Sequence, residues 1–281
     1  MTALPASRRR RARKTLRTTA RYLGIVAVLM TFMVPFLWMA LNSFKAQIDI
    51  TNAKDIFHFT PTLGNYRNAF EQHNYLLYLL NTFVVAAAST LLSLVLGLPA
   101  AYAIARFRTT WLGVLLLTAR IVPGIIFMIP WYIVFSRLGL TDSYWPLILS
   151  HMVVGLPFIA WIMIPFFESL PVELEEAARI DGSSIFGVFF RIALPLAVPG
   201  IITASIMAFI FSWNNFMFSL VLSGDHTRTL PVAIFNFISY SSVDWGGLMA
   251  AAVIITLPVL VITVFVQRYI VAGLTAGATK G

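Results

Sequence analysis

The chain has 281 residues, of which 59% are hydrophobic and 11% are charged, and its formal net charge is +9. Average soluble domains carry about 25% charged residues, and here the apolar residues are bunched into long runs. These features exclude an ordinary soluble domain and predict an all-α membrane protein. The chain contains no cysteine, which excludes disulfides, thiol catalysis and thiolate metal sites.

Six apolar runs are long enough to cross the ~30 Å hydrocarbon core of a membrane. They cover residues 22–44, 76–105, 111–135, 144–167, 199–222 and 246–266. The sequence therefore predicts six transmembrane helices in one domain, residues 22–270. That domain lies between a basic N-terminal segment, residues 1–21, and a C-terminal tail, residues 271–281.

The basic residues are distributed unevenly between the predicted loops. If the N-terminus lies inside, 14 of the 20 Lys and Arg residues fall on the inner side and five on the outer side. The positive-inside rule then predicts that both termini and the 168–198 loop are cytoplasmic in a multi-pass protein of the cell membrane. The arginine-rich N-terminus is interpreted as a topology determinant that contacts anionic lipid, not as a nucleic-acid-binding site.

A short polar stretch, residues 175–200, separates the fourth and fifth apolar runs. Pro171 predicts the start of a helix, and the three glutamates that follow suit the positive end of the helix dipole. Glu175 is placed to pair with Arg179, four residues on. Asp181 and Gly182 predict the end of the helix, with Gly182 at positive φ. A second short helix is expected before residue 199.

The same stretch carries a pattern with fixed spacing: Glu-Ala-Ala, three residues, Gly, nine residues, then Ile-x-Leu-Pro. It is formed by Glu176, Ala177, Ala178, Gly182, Ile192, Leu194 and Pro195. The pattern resembles the cytoplasmic coupling loop of ABC-importer permeases, whereas a plain linker between two spans needs no such spacing. The resemblance implies an ATPase-coupling site made of the seven pattern residues together with Glu175, Arg179 and Asp181.

The resemblance extends over nearly the whole chain, to the second permease subunit of carbohydrate-uptake ABC importers of the maltose type. The matching motifs are Ser43-Phe44-Lys45, Pro61-Thr62-Leu63 with Asn65-Tyr66, Asn81, Pro99 to Ala103, Ala105-Arg106, Trp213 to Phe216, Thr229 to Val232, and the ending from Gln267 onward. Asn215 is a departure, since many relatives carry Glu there.

This resemblance implies a transport machine of several chains. The chain would form half of the pore with a second permease subunit, over two ATPase subunits, and an extracytoplasmic sugar-binding protein would deliver the substrate. ATP and Mg would be bound by the partner ATPase, with no cofactor or metal on this chain. The sequence has no P-loop, His-Glu-x-x-His or Gly-x-Ser-x-Gly motif, and its four histidines are far apart, so no enzymatic activity is expected.

A few polar residues in the apolar runs are candidates for the substrate pathway. Arg120 lies in the third run, where a charge must face protein or water; it either hydrogen-bonds a hydroxylated substrate or is capped by carbonyls of a broken helix. Trp213, Asn214 and Asn215 offer an aromatic face and amides that suit a sugar, or alternatively they join helices by hydrogen bonds. His151 is interpreted as interhelical packing.

Three other functions remain open at this point. The same machinery could import glycerol-phosphate or a polyol. A gradient-driven secondary transporter would need one chain alone and often shows an inverted repeat, which the sequence does not display. A membrane scaffold would depend on neither substrate nor ATP.

Overall fold

The computed structural model describes residues 6–52, 56–118, 121–240 and 242–276. The α-helices of that part of the chain are α1 (Ala6–Ser43), α2 (Gln47–Thr51), α3 (Gly64–Gln72), α4 (Tyr75–Phe107), α5 (Thr110–Thr118), α6 (Ile125–Arg137), α7 (Tyr144–Glu168), α8 (Val172–Ile180), α9 (Ile185–Val188), α10 (Leu194–Leu196), α11 (Val198–Trp213), α12 (Met217–Leu222), α13 (Leu230–Ala233) and α14 (Trp245–Ala276). A π-helical turn, Phe189–Ala193, precedes α10, and a 3-10 turn, Ile234–Phe237, follows α13. The all-α class predicted from the apolar runs is confirmed.

Four helical stretches are each long and apolar enough to cross a membrane. They are Thr15–Ser43 in α1, the whole of α4, the whole of α7, and Trp245–Phe265 in α14. The helical run Ile185–Leu196 and helix α11 meet at a 78° bend and make a fifth crossing if they form one span. Six crossings remain a prediction.

The third predicted span is not one continuous helix. Helix α5 ends at Thr118 and α6 begins at Ile125, and at 1.5 Å per residue neither is long enough to cross alone. Pro123 lies in this interruption, where its missing N–H and fixed φ disfavour an unbroken helix. Arg120, the predicted pathway residue of this span, lies outside the described residues.

The fifth predicted span is also broken. Helix α11 ends at Trp213 and α12 starts at Met217. The Oδ1 atom of Asn215 accepts a hydrogen bond from the backbone N–H of Phe218 at 3.1 Å. A short amide side chain that satisfies a free N–H in this way favours a new helix start over continuation of the old helix.

The chain divides into two compact units, and the larger one comprises residues 70–236 and 254–281. Its core is formed where α4, α7 and α11 pack together, with many small side chains at their contacts. At Gly200 of α11, an added Cβ would lie 2.7 Å from the Phe166 ring of α7. Small residues allow membrane helices to approach closely, so close packing accounts for the glycine here.

The smaller unit comprises residues 1–69 and 237–253, and it joins two of the sequence motifs. Asn65 donates from Nδ2 to the carbonyl oxygens of Ser43 and Lys45, both at 2.8 Å. The hydroxyls of Ser43 and Tyr66 lie 2.7 Å apart. Lys45, although buried, donates to the carbonyl of Ile56 at 2.6 Å. The two motifs, 20 residues apart, therefore form one hydrogen-bonded structure.

Candidate functional site

The segment between α7 and α11, residues 169–197, contains the fixed-spacing pattern, and we call it the connecting segment. Helix α8 begins one residue later than predicted, with Pro171 as the residue that precedes it. Among the predicted site residues of α8, Glu176, Ala177 and Arg179 are exposed. This half of the pattern therefore lies at the surface of the chain.

Glu175 differs from its neighbours because it faces inward and is 6% exposed. Its Oε1 accepts hydrogen bonds from Nε and Nη2 of Arg106 at 2.8 and 2.5 Å. Its Oε2 accepts one from the Tyr102 hydroxyl at 2.7 Å. The predicted pairing of Glu175 with Arg179 is wrong, because the carboxylate turns toward the C-terminal end of α4 instead of along its own helix.

The end of α8 matches the sequence prediction. Gly182 has φ +89°, and the N–H groups of Gly182 and Ser183 donate to the carbonyls of Arg179 and Ala178 at 3.1 and 2.9 Å. This pair of bonds is the Schellman arrangement, which ends a helix at a residue in the left-handed region. Asp181 is the last residue before that turn and is exposed.

The second half of the connecting segment returns the chain to the core. Ile192 and Leu194 are half-buried, and Pro195 is exposed. The N–H of Leu194 donates to the carbonyl of Phe189, five residues earlier. Pro195 has no N–H to offer the carbonyl of Arg191, and this loss coincides with the wider π turn.

Large apolar side chains lie exposed on the connecting segment beside its charged groups. Ile180 and Phe186 are 86% and 72% exposed, and Leu174 and Ile185 are 47% and 44% exposed. Glu173, Glu176 and Asp181 are exposed on the same segment. An apolar surface rimmed by charges is typical of a protein-docking site, and the charges argue against burial of this segment in lipid.

The predicted pathway residues around the break after α11 have different environments. Trp213 is buried, and its indole N–H donates to the carbonyl of Ile255 at 3.1 Å. Asn214, the residue after α11, is exposed, and its amide donates to the carbonyl of Ile210 in α11 at 2.9 Å. Asn215 is half-buried and, as described above, accepts a hydrogen bond from the N–H of Phe218 in the first turn of α12.

A polar contact inside the bundle links three helices. Nδ1 of His151 in α7 lies 2.7 Å from the Ser212 hydroxyl in α11, which lies 3.0 Å from the Ser89 hydroxyl in α4. His151 is 4% exposed. The interpretation of His151 as interhelical packing is confirmed. Within the described residues, no group of three or more His, Asp or Glu side chains could hold a metal ion.

At the opposite end of α4, a buried amide holds the loop that follows α12. Nδ2 of Asn81, which is fully buried, donates to the carbonyls of His226 and Arg228 at 2.8 and 2.9 Å. Its Oδ1 accepts from the Tyr144 hydroxyl at 2.7 Å. The resemblance flags Asn81, but only the folded structure shows that it binds a loop about 145 residues away.

A carboxylate ties the same loop to the residues before α7. Asp142, at φ +54°, accepts from the backbone N–H groups and side chains of both His226 and Thr227, at 2.7–3.2 Å. Burial alone would raise the pKa of Asp142, but these hydrogen bonds outweigh it and lower the pKa to about 2. The carboxylate in turn raises the pKa of the exposed His226 imidazole. This contact was not predicted from the sequence, because an aspartate at this position indicates only a turn.

The family described as the inner membrane component of binding-protein-dependent transport systems matches residues 93–276, which include the whole connecting segment. The chain belongs to this family. It is therefore a transport permease that crosses the membrane several times, as the four long apolar helices also indicate.

Related proteins match over most of their length. The sulfoquinovosyl glycerol transport system permease protein SmoH of Agrobacterium fabrum is 34% identical over 93% of both chains. The trehalose transport system permease protein SugB of Mycobacterium tuberculosis is 35% identical over 89% of this chain and 93% of its own. The trehalose/maltose transport system permease protein MalG of Thermococcus litoralis is 32% identical over 92% of this chain and 95% of its own.

Solved structures share the fold. A chain of a bacterial ABC transporter involved in import of the acidic polysaccharide alginate superposes with a TM-score of 0.75 at 21% identity, covering 96% of this chain and 99% of that one. A chain of the MetNI methionine ABC transporter superposes with a TM-score of 0.58 at 20% identity, covering 71% of this chain and 95% of that one.

Proposed function

We propose that this chain is the permease subunit of an ATP-driven, binding-protein-dependent carbohydrate importer, and that it forms half of the pore. The connecting segment docks on a separate ATPase subunit, which binds ATP and Mg and carries out the hydrolysis. A second permease chain completes the pore, and an extracytoplasmic protein delivers the sugar. The observation that carries this proposal is the exposed, charge-rimmed apolar surface of the connecting segment, at the position of the Glu-Ala-Ala pattern.

The proposed substrate class rests on the relatives. Three similar proteins are named for sulfoquinovosyl glycerol, trehalose, and trehalose or maltose, which are all rich in hydroxyl groups. Asn214 is exposed at the break after α11 and suits hydrogen bonding to such a solute. Trp213 and Asn215 hold the shape of this break, and Arg120 remains a further pathway candidate.

The substrate class is tested in the complex reconstituted with its ATPase, second permease and binding protein. ATP hydrolysis is measured with a panel of sugars, polyols and glycerol-phosphate. We expect stimulation by a sugar and none by the other two classes. Stimulation by glycerol-phosphate or a polyol alone would contradict the carbohydrate assignment, and hydrolysis indifferent to every solute would contradict the importer assignment.

The proposed orientation places both termini and the connecting segment in the cytoplasm. The uneven distribution of basic residues supports it. The chain has no cysteine, so Ser183→Cys provides a single thiol on the connecting segment. A membrane-impermeant maleimide should label this thiol only after cells are opened. Labelling in sealed cells would contradict the orientation.

A further inference from the structure

We propose that Arg106 and Tyr102 are positioning residues that fasten α8 to α4 through Glu175, so that a movement of α8 also moves α4. This inference rests on the proposed function, since it assigns a role within ATPase coupling. It also changes the role of Glu175. This residue then attaches α8 to α4 instead of contacting the ATPase.

The hydrogen bonds of Glu175 carry this inference. Both carboxylate oxygens are engaged by side chains of α4, and the side chains of Arg106 and Glu175 are 13% and 9% exposed. Two nitrogen atoms of the guanidinium approach the same oxygen. Arginine suits this role because its planar fork fixes orientation as well as charge. A soluble partner can contact the exposed side chain of Glu176, the next residue, but little of the Glu175 side chain is accessible to it.

The aromatic packing around Tyr102 extends the attachment. Its ring lies 5.5 Å from that of Phe167, near the end of α7, and 5.0 Å from that of Phe189, in the π turn. The Arg106 guanidinium lies 5.7 Å from the centre of the same ring. One buried cluster thus contacts the C-terminal ends of two long helices and both halves of the connecting segment.

The consequence is a rigid connection at one point of a long helix. Helix α4 contains 33 residues, and the cluster holds it within two turns of its C-terminal end. The removal of one partner from a buried ion pair is costly because the other charge stays buried without compensation. Separation of α8 from α4 is therefore disfavoured, and the two helices are expected to move as one body when an ATPase displaces α8.

The attachment itself is tested without reference to transport, by a double-mutant cycle in the purified complex. The variants are Glu175→Gln, Arg106→Met and the double substitution, and the readout is the midpoint of thermal unfolding in detergent. We expect each single change to lower the midpoint and the double change to lower it by clearly less than the sum. Additive shifts would overturn the attachment, whether or not the chain is a sugar importer.

The role in coupling is tested by sugar uptake at matched amounts of co-purified ATPase. We expect Arg106→Met and Glu175→Gln to retain the ATPase while uptake falls roughly tenfold, within the range typical of a lost coupling free energy. Arg106→Lys should restore part of the uptake, since lysine keeps the positive charge but lacks the planar guanidinium. Glu168→Gln, at an exposed acid that ends α7 outside the connecting segment, is the matched control and should behave as the wild type.

Two results would overturn the proposal. The first is full uptake by Arg106→Met. The second is loss of the ATPase in Glu175→Gln while Arg106→Met keeps it, since Glu175 would then contact the ATPase directly. If Arg106→Met fails to accumulate, Tyr102→Phe decides in its place, because it removes only the hydroxyl and keeps the ring; unchanged uptake by Tyr102→Phe would then overturn the proposal.

Discussion

The two ends of α4 use polar residues in opposite ways. At the N-terminal end, Asn81 and Asp142 are engaged by neighbouring loops of the same chain. At the C-terminal end, the connecting segment leaves Glu176 and Asp181 exposed beside Ile180 and Phe186. The first arrangement holds a loop in place, whereas the second provides a surface for another molecule. Glu175 is the exception at its end, because it is engaged internally.

The largest effect on stability is expected from Asn81→Leu. The substitution leaves two loop carbonyls and the Tyr144 hydroxyl without their partner, which costs roughly 2–3 kcal/mol when such groups are buried. Thermal unfolding of the purified complex should show a clearly lower midpoint, and Tyr144→Phe, which removes one of the three bonds, should show a smaller shift. An unchanged unfolding midpoint for Asn81→Leu would show that Asn81 does not hold the loop. The contrast between the two ends of α4 would then be wrong.

Gly182→Val is expected to have a smaller effect on stability and a large one on transport. The left-handed conformation costs a residue with a Cβ about 1–2 kcal/mol, and no neighbouring atom lies within 4 Å of the added Cβ. The chain should insert normally into the membrane. It should, however, co-purify with less of the ATPase subunit and take up less sugar, because the turn after α8 is displaced. Gly182→Asn, which tolerates positive φ, is the control; equal loss in both variants would show that the backbone conformation is not the cause.

Asp142→Asn should lower stability at neutral pH by about 1 kcal/mol, since the loss concerns charge-assisted bonds near the surface. Asparagine keeps the shape and tolerates the same positive φ. The folded pKa of Asp142, about 2, lies below its ordinary value of 3.8. Its contribution is therefore present above pH 3.8 and is lost as the pH falls toward 2.

The measurement is the difference in unfolding midpoint between wild type and Asp142→Asn as a function of pH. The difference should be largest near pH 5, where Asp142 is charged and His226 is protonated. It should decrease as the pH rises through the raised pKa of His226, and it should also shrink as the pH falls from about 4 toward 2. A difference that persists at pH 2, or that is absent at pH 7, would show that the charge of Asp142 does not hold this loop.

The smallest effect on stability is expected from Glu176→Gln. Exposed substitutions away from special features usually change stability by less than about 0.5 kcal/mol. ATPase co-purification should nevertheless weaken, because this carboxylate belongs to the proposed docking surface. Glu168→Gln, outside the connecting segment, serves as the control and should keep the ATPase. Full ATPase retention by Glu176→Gln would remove this residue from the docking surface.

Local features of the fold were predictable from the sequence, and contacts between distant residues were not. Apolar run length gave the long helices, and the Asp181-Gly182 pair gave the end of α8, since both depend on residues adjacent in the chain. Glu175 pairs with Arg106, 69 residues away, and helical periodicity alone favoured Arg179. The break after Trp213 was missed although Asn214 and Asn215 lie in it, because the apolar residues on both sides of the pair suggested one continuous span.

The account is tested most directly by the energy source of transport. The complex is reconstituted in vesicles with sugar-loaded binding protein outside, and sugar accumulation is measured with ATP or a non-hydrolysable analogue inside. We predict accumulation with ATP, none with the analogue, and none when the ATPase subunits are left out. Sugar accumulation by this chain without the ATPase, driven by an ion gradient, would contradict the account.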